Sequence, residues 1–552
     1  MPTQAISFYG TRQALPETFA RQDDQLQLEE SFTLSGVTRD VGEKQKILLG
    51  NDKLVELVFD DNTTWLCHAD TIEEVFPEAA NPTRSADGAF ELPPVLRSTG
   101  TQRGIISDIA LKAVNLFAKK AVAKTVSHLA QDLEKKQLGN RSGLYRLDKE
   151  FGFVNYVPVQ TDKPFLLFIH GTASSTEGSF GKLVATPAWD DLCEYYGENI
   201  LAFQHETLTK SPLQNVEELV RQLPQAATLH LVTHSRGGLV GDILSRYCNS
   251  NERLRGFDKN EKAYLETEGR KADLDTIGRL DELFQAKVLA IARFIRVACP
   301  ANGTILASRR LDNFFNITAN LVGLGTGIAT TPVYGAFRNL IAAVIDTKNS
   351  AEALPGIEAM NPDSPFIKVM NTPASSIEIE DPLVIISGNC KAGFNLKGLL
   401  VIASKLFYFV DNDLVVNTRS MYQGSKRHSK LKFLFDEAGN VDHFHYFQNE
   451  KTRNALLLAL KGDGDLATAG FKTEDQATAV QQARNIQLLG LEGGDMVDVP
   501  LSGARPIVVL LPGIMGSNLS RNNDKIWIDY KDFFSGGLSK LSISDKTLQA
   551  TS

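Results

Sequence analysis

The stretch LHLVTHSRGGLVG, residues 229–241, decides the fold class of this chain. An apolar strand pattern runs directly into Ser235, and Gly237 and Gly238 open an apolar helical pattern. A sharp strand-to-helix turn holds a serine hydroxyl away from the backbone, within reach of a base and beside backbone N–H groups. The stretch therefore predicts an α/β protein with a nucleophilic serine at the carboxyl end of a strand.

The pentapeptide around the serine departs from the usual pattern Gly-x-Ser-x-Gly at its first position. It reads Thr233-His234-Ser235-Arg236-Gly237, so a β-branched residue stands where glycine is usual. The turn crowds the residues two before and two after the serine, but threonine is still small. A purely structural strand-to-helix turn is the alternative interpretation, and the motif needs partners elsewhere in the chain to favour catalysis.

Strand and helix patterns alternate on both sides of this turn, over residues 144–462. Such alternation predicts a mostly parallel sheet with helices on both faces. The predicted strands are residues 144–148, 152–157, 165–170, 200–205, 229–234, 294–299, 383–388 and 431–436. Two long insertions interrupt the pattern: residues 249–285 are charged and predict exposed helices, and residues 304–349 are mostly apolar. Long insertions over the carboxyl edge of a sheet commonly act as caps.

Composition excludes several classes of protein. The chain has 552 residues with 43% hydrophobic and 22% charged residues, as in ordinary globular proteins, and its formal charge of −8 argues against a nucleic-acid binder. Five scattered cysteines without a C-x-x-C pair predict neither a disulfide framework nor a zinc site, and we expect no metal and no cofactor. No secretory signal precedes the domains, so we expect a cytoplasmic protein, and charged residues and glycines interrupt the longest apolar run too often for a transmembrane helix.

The flanking regions predict further units. The segments are a small β-rich domain at 1–100, a long amphipathic helix at 101–143, a linker at 463–503 and a second module at 504–552. Within residues 105–136, apolar residues at helical spacing oppose lysines, which predicts one helix packed against the neighbouring domain. The alternative for that helix is peripheral contact with a membrane surface.

A nucleophilic serine needs an oxyanion hole. The predicted strand at 165–170 ends in His170-Gly171-Thr172, where the glycine permits a tight bend beside the site. We predict that the N–H groups of Thr172 and Arg236 receive the developing negative charge. The alternative is a glycine that only ends a buried strand, with His170 bound to a backbone carbonyl.

The serine also needs a base and a carboxylate that orients the base. Downstream, the segment KLFYFVDNDLVVNTRS offers Asp411 and Asp413. His428 lies in the basic run GSKRHSK, typical of an exposed loop, whereas His443 and His445 lie between a strand and the final helix. We choose His443 over His445, because the neighbouring aromatic residues would pack the loop down with His443 facing the cleft.

These segments together resemble a lipase-type α/β-hydrolase of the bacterial triacylglycerol lipase and deacylase group. The resemblance covers residues 144–462 and rests on HGT, THSRGG, PANGT, LPGIEAMNPDSPF, NDLVV and DHFHYF. It implies the α/β-hydrolase fold, a Ser-His-Asp triad, an acyl-enzyme mechanism and ester substrates, often lipids. The turn Asn412-Asp413 resembles the Asn-Asp-Gly-Leu-Val acid turn of lipases, which selects Asp413, with Asp411 as the alternative. The chain departs from the family at Thr233 and at Leu414, where glycine is usual.

The tail carries a second resemblance. Residues 504–519, ARPIVVLLPGIMGSNL, resemble the opening strand and oxyanion loop of lecithin:cholesterol acyltransferase-like hydrolases, and no Gly-Lys-Ser/Thr follows as in a phosphate-binding loop. Only 33 residues follow Leu519, too few for a nucleophile, an acid and a histidine. We expect that this module is incomplete, and that either the natural polypeptide is longer or the fragment docks as an extra strand.

The predicted function is hydrolysis of carboxylic esters, with a small-molecule or lipid ester as the binding partner. Acyl transfer by the same triad and a catalytically silent interaction platform are the alternatives. The apolar stretch 313–345 either lines an acyl-chain pocket, forms a movable cap or is ordinary buried packing. Nothing in the sequence identifies a protein partner.

Overall fold

The computed structural model forms two compact units, residues 1–493 and residues 494–552. The described residues are 4–15, 25–34, 42–50, 52–68, 71–76, 89–97, 108–120, 124–159, 161–249, 251, 254–309, 311–323, 332–346, 353–372, 374–390, 397–406, 412–436, 441–462, 464–475, 478, 518–521, 524–527 and 548–551. Asp411, most of the predicted linker and residues 504–517 lie outside them.

An eight-stranded, mostly antiparallel sheet forms the N-terminal part of the first unit. Its strands are β1 (Gln4–Arg12), β2 (Leu26–Leu34), β3 (Lys44–Leu49), β4 (Lys53–Phe59), β5 (Thr64–His68), β6 (Phe90–Glu91), β7 (Val95–Leu96) and β8 (Ile109–Lys119). The order is β3-β1-β2-β8-β4-β5, with β6 beside β1 and β7 beside β8. The predicted β-rich N-terminal region is present.

The prediction of one helix over residues 105–136 is wrong for residues 109–119, which form β8. The physical reason is a register shift against β4: Phe59 pairs with Leu111, but the preceding Val58 pairs with Ala113. This bulge displaces the in-out alternation by one residue, so apolar residues recur at spacings that imitate a helix. The second half of the pattern does form a helix, α2 (Val126–Leu138), which begins at a Thr125 N-cap.

The central sheet of the first unit has nine strands and contains the predicted α/β region. Its strands are β9 (Gly143–Leu147), β10 (Phe153–Asn155), β11 (Phe165–Ile169), β12 (Ile200–Gln204), β13 (Ala226–His234), β14 (Val288–Val297), β15 (Leu383–Gly388), β16 (Leu431–Asp436) and β17 (Lys472–Glu474). The order is β10-β9-β12-β11-β13-β14-β15-β16-β17. The strands β11 to β16 run parallel, whereas β9, β10 and β17 pair antiparallel with their neighbours.

The parallel strands are buried on both faces. Every residue of β11, β12 and β15 is buried, which explains why they read as continuous apolar runs rather than as alternating patterns. All eight predicted strands coincide with β9 to β16. The ninth strand, β17, lies where we predicted a linker, because its three residues Lys-Thr-Glu carry no apolar signal.

Sixteen helices accompany these sheets among the described residues. They are α1 (Ile72–Val75), α2, α3 (Thr176–Phe180), α4 (Pro187–Tyr196), α5 (Pro212–Gln222), α6 (Gly237–Tyr247), α7 (Lys259–Thr267), α8 (Lys271–Ala286), α9 (Leu306–Arg309), α10 (Leu311–Gly323), α11 (Pro332–Asp346), α12 (Pro355–Glu358), α13 (Pro365–Met370), α14 (Lys397–Leu406), α15 (Thr418–Met421) and α16 (Glu450–Lys461). The charged insertion forms α7 and α8 as predicted, and α8 packs on α5. The apolar insertion forms α9, α10 and α11.

Helix α10 covers the edge of the N-terminal sheet at β5. Asn320 receives the Thr64 N–H at 2.8 Å and donates to the Thr64 carbonyl at 2.7 Å. One turn earlier, Asn316 makes the same pair of bonds with Leu66, at 2.8 and 2.9 Å. An edge strand otherwise presents unpaired N–H and C=O groups, and here two carboxamides satisfy them.

Helix α11 also contacts this sheet, through a buried polar cluster. The Tyr334 hydroxyl donates to Glu56 of β4 at 2.8 Å and lies 2.6 Å from the Thr64 hydroxyl. The described residues of α10 and α11 are almost all buried between the N-terminal sheet and α2. For these residues, the buried-packing interpretation of the apolar stretch 313–345 describes the structure.

Asn316→Leu and Asn320→Leu are each expected to loosen the edge of β5. Each substitution leaves a buried strand N–H and C=O without a partner, at a cost of about 1–3 kcal/mol per group. We expect a lower thermal midpoint and faster amide hydrogen exchange at Leu66 in Asn316→Leu and at Thr64 in Asn320→Leu. Thr318→Ala is the matched control, because its hydroxyl bonds only the Phe314 carbonyl within α10. Unchanged exchange at both strand positions would contradict the expectation.

The second unit, residues 494–552, contains a small antiparallel sheet among its described residues. Its strands are β18 (Asn518–Arg521), β19 (Asp524–Trp527) and β20 (Leu548–Thr551), in the order β19-β18-β20. The strand and glycine loop that carry the acyltransferase-like resemblance lie at 504–517, outside the described residues. That interpretation therefore stays a prediction.

Candidate active site

Ser235 lies at the carboxyl end of β13, in the turn that leads into α6. Its backbone has φ 53°, in the left-handed region that non-glycine residues rarely adopt. The turn is fixed on both sides, because the Ser235 N–H donates to the Val297 carbonyl at 2.9 Å and the Ser235 carbonyl accepts from Gly238 at 2.9 Å. Such backbone strain costs about 1–3 kcal/mol and persists where the surrounding structure holds it.

The two small positions of the turn behave differently. A Cβ atom at Gly237 would lie 2.3 Å from the Ile169 carbonyl oxygen and 2.7 Å from that of His170, so only glycine fits. Thr233 is fully buried and stays within the regular ladder of β13, between Ile169 of β11 and Arg296 of β14. The departure from glycine at Thr233 therefore leaves the turn intact.

Three predicted residues converge at this edge of the sheet. The His443 Nε2 atom lies 2.7 Å from the Ser235 Oγ atom, and the His443 Nδ1 atom lies 2.8 Å from the Asp413 Oδ2 atom. All three side chains are buried, with residue exposures of 3% for Ser235, 1% for His443 and 0% for Asp413. A hydroxyl, an imidazole and a carboxylate thus form one hydrogen-bonded line.

The Asp413 carboxylate is held by more than the imidazole. Its Oδ1 atom accepts from the backbone N–H groups of Val415, at 3.2 Å, and Val416, at 2.8 Å. Its Oδ2 atom also accepts from the Tyr446 hydroxyl at 3.2 Å, and burial raises the pKa of Tyr446 well above its usual value, which keeps that donor protonated. Both carboxylate oxygens are therefore committed, and Oδ2 faces the imidazole.

Leu414 stands where the acid turn of the lipase-type family usually has glycine. Leu414 adopts φ 80°, the left-handed conformation that glycine adopts without steric cost. The Asn412 side chain supports the turn by accepting the Leu414 N–H at 2.8 Å. The acid turn is thus retained with a strained leucine.

The remaining candidates for acid and base are placed elsewhere. The His445 Nδ1 atom lies 2.7 Å from the Asp442 carboxylate, so this histidine pairs with its own local aspartate. His428 has a side chain that is 77% exposed and lies 4.0 Å from Glu378. Of these histidines, only His443 is hydrogen-bonded to Ser235 in the part of the chain that the structure describes. Asp411 is outside that part.

The predicted oxyanion donors are the backbone amides of Thr172 and Arg236. Among the described residues, neither the Thr172 N–H nor the Arg236 N–H donates a hydrogen bond, although their side chains are bonded. Gly171 lies so close that a Cβ there would be 2.6 Å from the Ser235 Cβ atom. The predicted oxyanion loop, residues 170–172, therefore lies against the serine, and the role of its amides stays a prediction.

The side chain of Arg236 is a feature that the sequence did not indicate. Its fully buried guanidinium donates to the Gly356 carbonyl at 3.1 Å, to the Asn215 side chain at 2.9 Å and to the Lys210 carbonyl at 2.5 Å. Burial lowers the pKa of Arg236 to about 9, although the charge of Glu134 opposes this shift. The arginine ties the start of α6 to α12, to α5 and to Lys210 before α5, and so fixes its own backbone amide.

His170 serves the structure of the oxyanion loop. Its Nδ1 atom lies 3.0 Å from the Gly171 carbonyl, and its Nε2 atom accepts the His205 N–H at 3.2 Å. Burial lowers the pKa of His170 to about 4, so the ring is neutral at pH 7. The alternative interpretation of His170, a histidine bound to a backbone carbonyl, describes its place in the structure.

The described residues contain neither a membrane-spanning helix nor a cluster of metal ligands. Within the described residues, no helix has the length and apolar character needed to cross a bilayer. Over the same ranges, no three His, Cys, Asp or Glu side chains are grouped so that they would hold a metal ion.

A family model matches residues 149–256 and 278–461, more than half of the chain. The chain therefore belongs to that family, which is described as Domain of unknown function (DUF7379). The matched ranges include Ser235, Asp413 and His443. They omit residues 257–277, which contain α7 and the start of α8.

Solved structures of lipases are similar to this chain at low identity. The mature lipase BlEst2 from Bacillus licheniformis is 14% identical, over 57% of this chain and 98% of its own, with a TM-score of 0.29. Lipase 1 from Pelosinus fermentans is 14% identical, over 59% and 99%, with a TM-score of 0.34. The Staphylococcus hyicus lipase is 15% identical, over 60% and 98%, with a TM-score of 0.29. No curated protein matches the chain.

Proposed function

We propose that this protein is a serine hydrolase that cleaves carboxylic esters. The observation that carries the proposal is the hydrogen-bonded line from the Ser235 hydroxyl through His443 to Asp413, at 2.7 and 2.8 Å. A serine hydroxyl is a weak nucleophile until a base takes its proton, and an imidazole at this distance is within reach of that proton. The likeness to solved lipases has TM-scores below 0.5 and adds nothing to this inference.

The proposed mechanism has two halves. In the first, the His443 Nε2 atom accepts the Ser235 proton while the serine oxygen attacks the acyl carbon, and the carbonyl oxygen becomes an oxyanion. The Thr172 and Arg236 amides, which lack other acceptors among the described residues, would donate to this oxyanion. When the C–O bond breaks, His443 returns the proton to the leaving alcohol, and an acyl-enzyme remains.

In the second half, water replaces the alcohol. His443 takes a proton from the water as it attacks the acyl carbon, and then returns that proton to the Ser235 oxygen as the acid leaves. Asp413 keeps the Nδ1 hydrogen on the side away from the serine and stabilises the imidazolium in both halves. We propose esters of aliphatic acids, lipid esters among them, as the substrates.

A fluorophosphonate probe followed by peptide mass spectrometry tests the proposal. The expected result is one covalent adduct, on Ser235, formed by a hydroxyl that His443 activates. A set of p-nitrophenyl esters with acyl chains from short to long then defines the substrate class, and turnover of short chains alone would restrict the proposal to an esterase. A folded protein that neither reacts with the probe nor turns over any ester would overturn the proposal and favour a catalytically silent platform.

Acyl transfer to an alcohol or amine is the second candidate. The observation in its favour is the burial of Ser235 and His443, at 3% and 1% exposure, because limited access of water leaves an acyl-enzyme open to other acceptors. The distinguishing measurement follows the acyl product with and without added alcohol. Ester formation that outruns acid release would favour the transferase, and acid release alone would favour the hydrolase.

A further inference from the structure

His234, the residue before the candidate nucleophile, contacts the candidate base. Its Nε2 atom lies 2.6 Å from the backbone carbonyl oxygen of His443. Because a carbonyl only accepts hydrogen bonds, the Nε2 atom of His234 must carry its hydrogen. The His443 N–H in turn donates to the Asp413 carbonyl at 3.0 Å, so the base is held at both its amide and its carbonyl.

The second ring nitrogen of His234 is connected to the predicted oxyanion loop through Ser179. Its Nδ1 atom lies 3.1 Å from the Ser179 Oγ atom and, in the neutral ring, accepts from that hydroxyl. The same Ser179 oxygen accepts the Gly171 N–H at 3.4 Å. A continuous series of hydrogen bonds therefore runs from Gly171, through Ser179 and His234, to the backbone of His443.

The surroundings keep His234 neutral. Burial and the nearby His443 lower the pKa of His234 well below the usual value of a histidine. The ring centroids of His234 and His443 are 5.0 Å apart, so a charged His234 would oppose the imidazolium that forms on His443 during the reaction. Phe180 and Phe447 pack against the His234 ring and restrict its orientation.

We propose that His234 is a positioning residue that aligns the imidazole of His443 with the oxyanion loop. This role rests on the proposed function. A base displaced by 1 Å loses about 10²-fold in rate, so a group that holds its backbone affects turnover rather than substrate binding. Nothing in this role requires His234 to touch the substrate or to exchange protons with it.

Substitutions with side chains of different length test the contact at Nε2 of His234 apart from the contact at Nδ1. Glutamine places an amide donor near the Nε2 position and can bond the His443 carbonyl, asparagine reaches only the Nδ1 position, and phenylalanine keeps the ring without either bond. We expect His234→Phe and His234→Asn to lower kcat for a p-nitrophenyl ester by about 10-fold to 10²-fold with KM changed less than about twofold. His234→Gln is expected to recover most of that loss.

His230→Phe is the matched control on the same strand. His230 is also buried, but its ring bonds the Tyr196 hydroxyl at 2.6 Å, outside the candidate site. We expect His230→Phe to lower the thermal midpoint while kcat per folded molecule stays unchanged. Nitrogen NMR of the wild-type protein is expected to show a neutral His234 with its hydrogen on Nε2.

Several outcomes would overturn the role of His234. They are an unchanged kcat in His234→Phe, an equal loss in His230→Phe, a His234→Gln variant no better than His234→Phe, and a hydrogen on Nδ1 alone. If the wild-type protein turns over ester but these variants do not differ, only the positioning role fails. If the wild-type protein is inactive and unlabelled, the proposed function fails and the positioning role falls with it.

Discussion

Ser235→Ala and His443→Ala are each expected to lower kcat for ester hydrolysis by about 10⁶-fold, and the double variant is expected to lose no more. The two side chains act as one unit, because the hydroxyl attacks only when the imidazole 2.7 Å away takes its proton. Once either member is gone, the other has nothing left to contribute. Burst and steady-state kinetics on a p-nitrophenyl ester measure the effect, with thermal midpoints as a check on folding.

Two controls separate this expectation from general damage. Ser245 is a buried serine of α6 whose hydroxyl bonds Asp381 at 2.8 Å, so we expect Ser245→Ala to lower stability and to leave kcat unchanged. His445→Ala removes the alternative base, and we expect kcat within a few-fold of the wild type. A large loss in His445→Ala with little loss in His443→Ala would transfer the role of base to His445. Losses that multiply in the double variant would show that Ser235 and His443 act independently.

Asp413→Asn is expected to lower kcat by about 10⁴-fold while leaving the fold intact. The Oδ1 position accepts two backbone N–H groups, so the asparagine oxygen will take that side and its NH₂ group will face His443. His443 must then accept at Nδ1 and carry its hydrogen on Nε2, which leaves no lone pair for the Ser235 proton. The base is present but in the wrong tautomer.

Asp442→Asn is the matched control for Asp413→Asn. Asp442 also pairs with a histidine, but its partner is His445, which has no bond to Ser235 among the described residues. We expect kcat to change by less than about tenfold in Asp442→Asn. Comparable losses in the two variants would contradict the assignment of Asp413 as the orienting carboxylate. The fluorophosphonate reaction rate gives an independent measure, because it also depends on the proton transfer from Ser235.

The central sheet was predictable because burial on both faces leaves a strong apolar signal in each parallel strand. The N-terminal sheet was harder to predict. Strand β8 contains a bulge near Leu111 that imitates helical spacing, and β17 is a three-residue edge strand with polar side chains. Periodicity in a sequence reflects which side chains are buried. It misleads where a bulge displaces the alternation of buried and exposed residues, and it is absent from an edge strand that has no buried apolar side chains.

The sequence indicates each residue of the candidate site, but it does not indicate how their side chains are arranged in space. The local turn pattern indicates Ser235. His443 lies 208 positions away in the sequence, and only the order of the strands brings it next to Ser235. The aromatic residues around His443 and His445 favour His443 in the sequence. In the structure, the two histidines differ because His445 pairs with Asp442. The orientation of the Arg236 side chain and the hydrogen bond from His234 to the His443 carbonyl leave no signal in the sequence, because both depend on distant backbone groups.

The asparagines of α10 have a consequence for any attempt to dissect this protein. A shortened chain that starts after β8 would remove β5 and leave the side-chain oxygens of Asn316 and Asn320 without the backbone N–H groups that they accept. The same cut would uncover Tyr334 and leave its hydroxyl without Glu56. We therefore expect a chain without the N-terminal sheet to be less stable than the full chain, because helices α10 and α11 pack on that sheet.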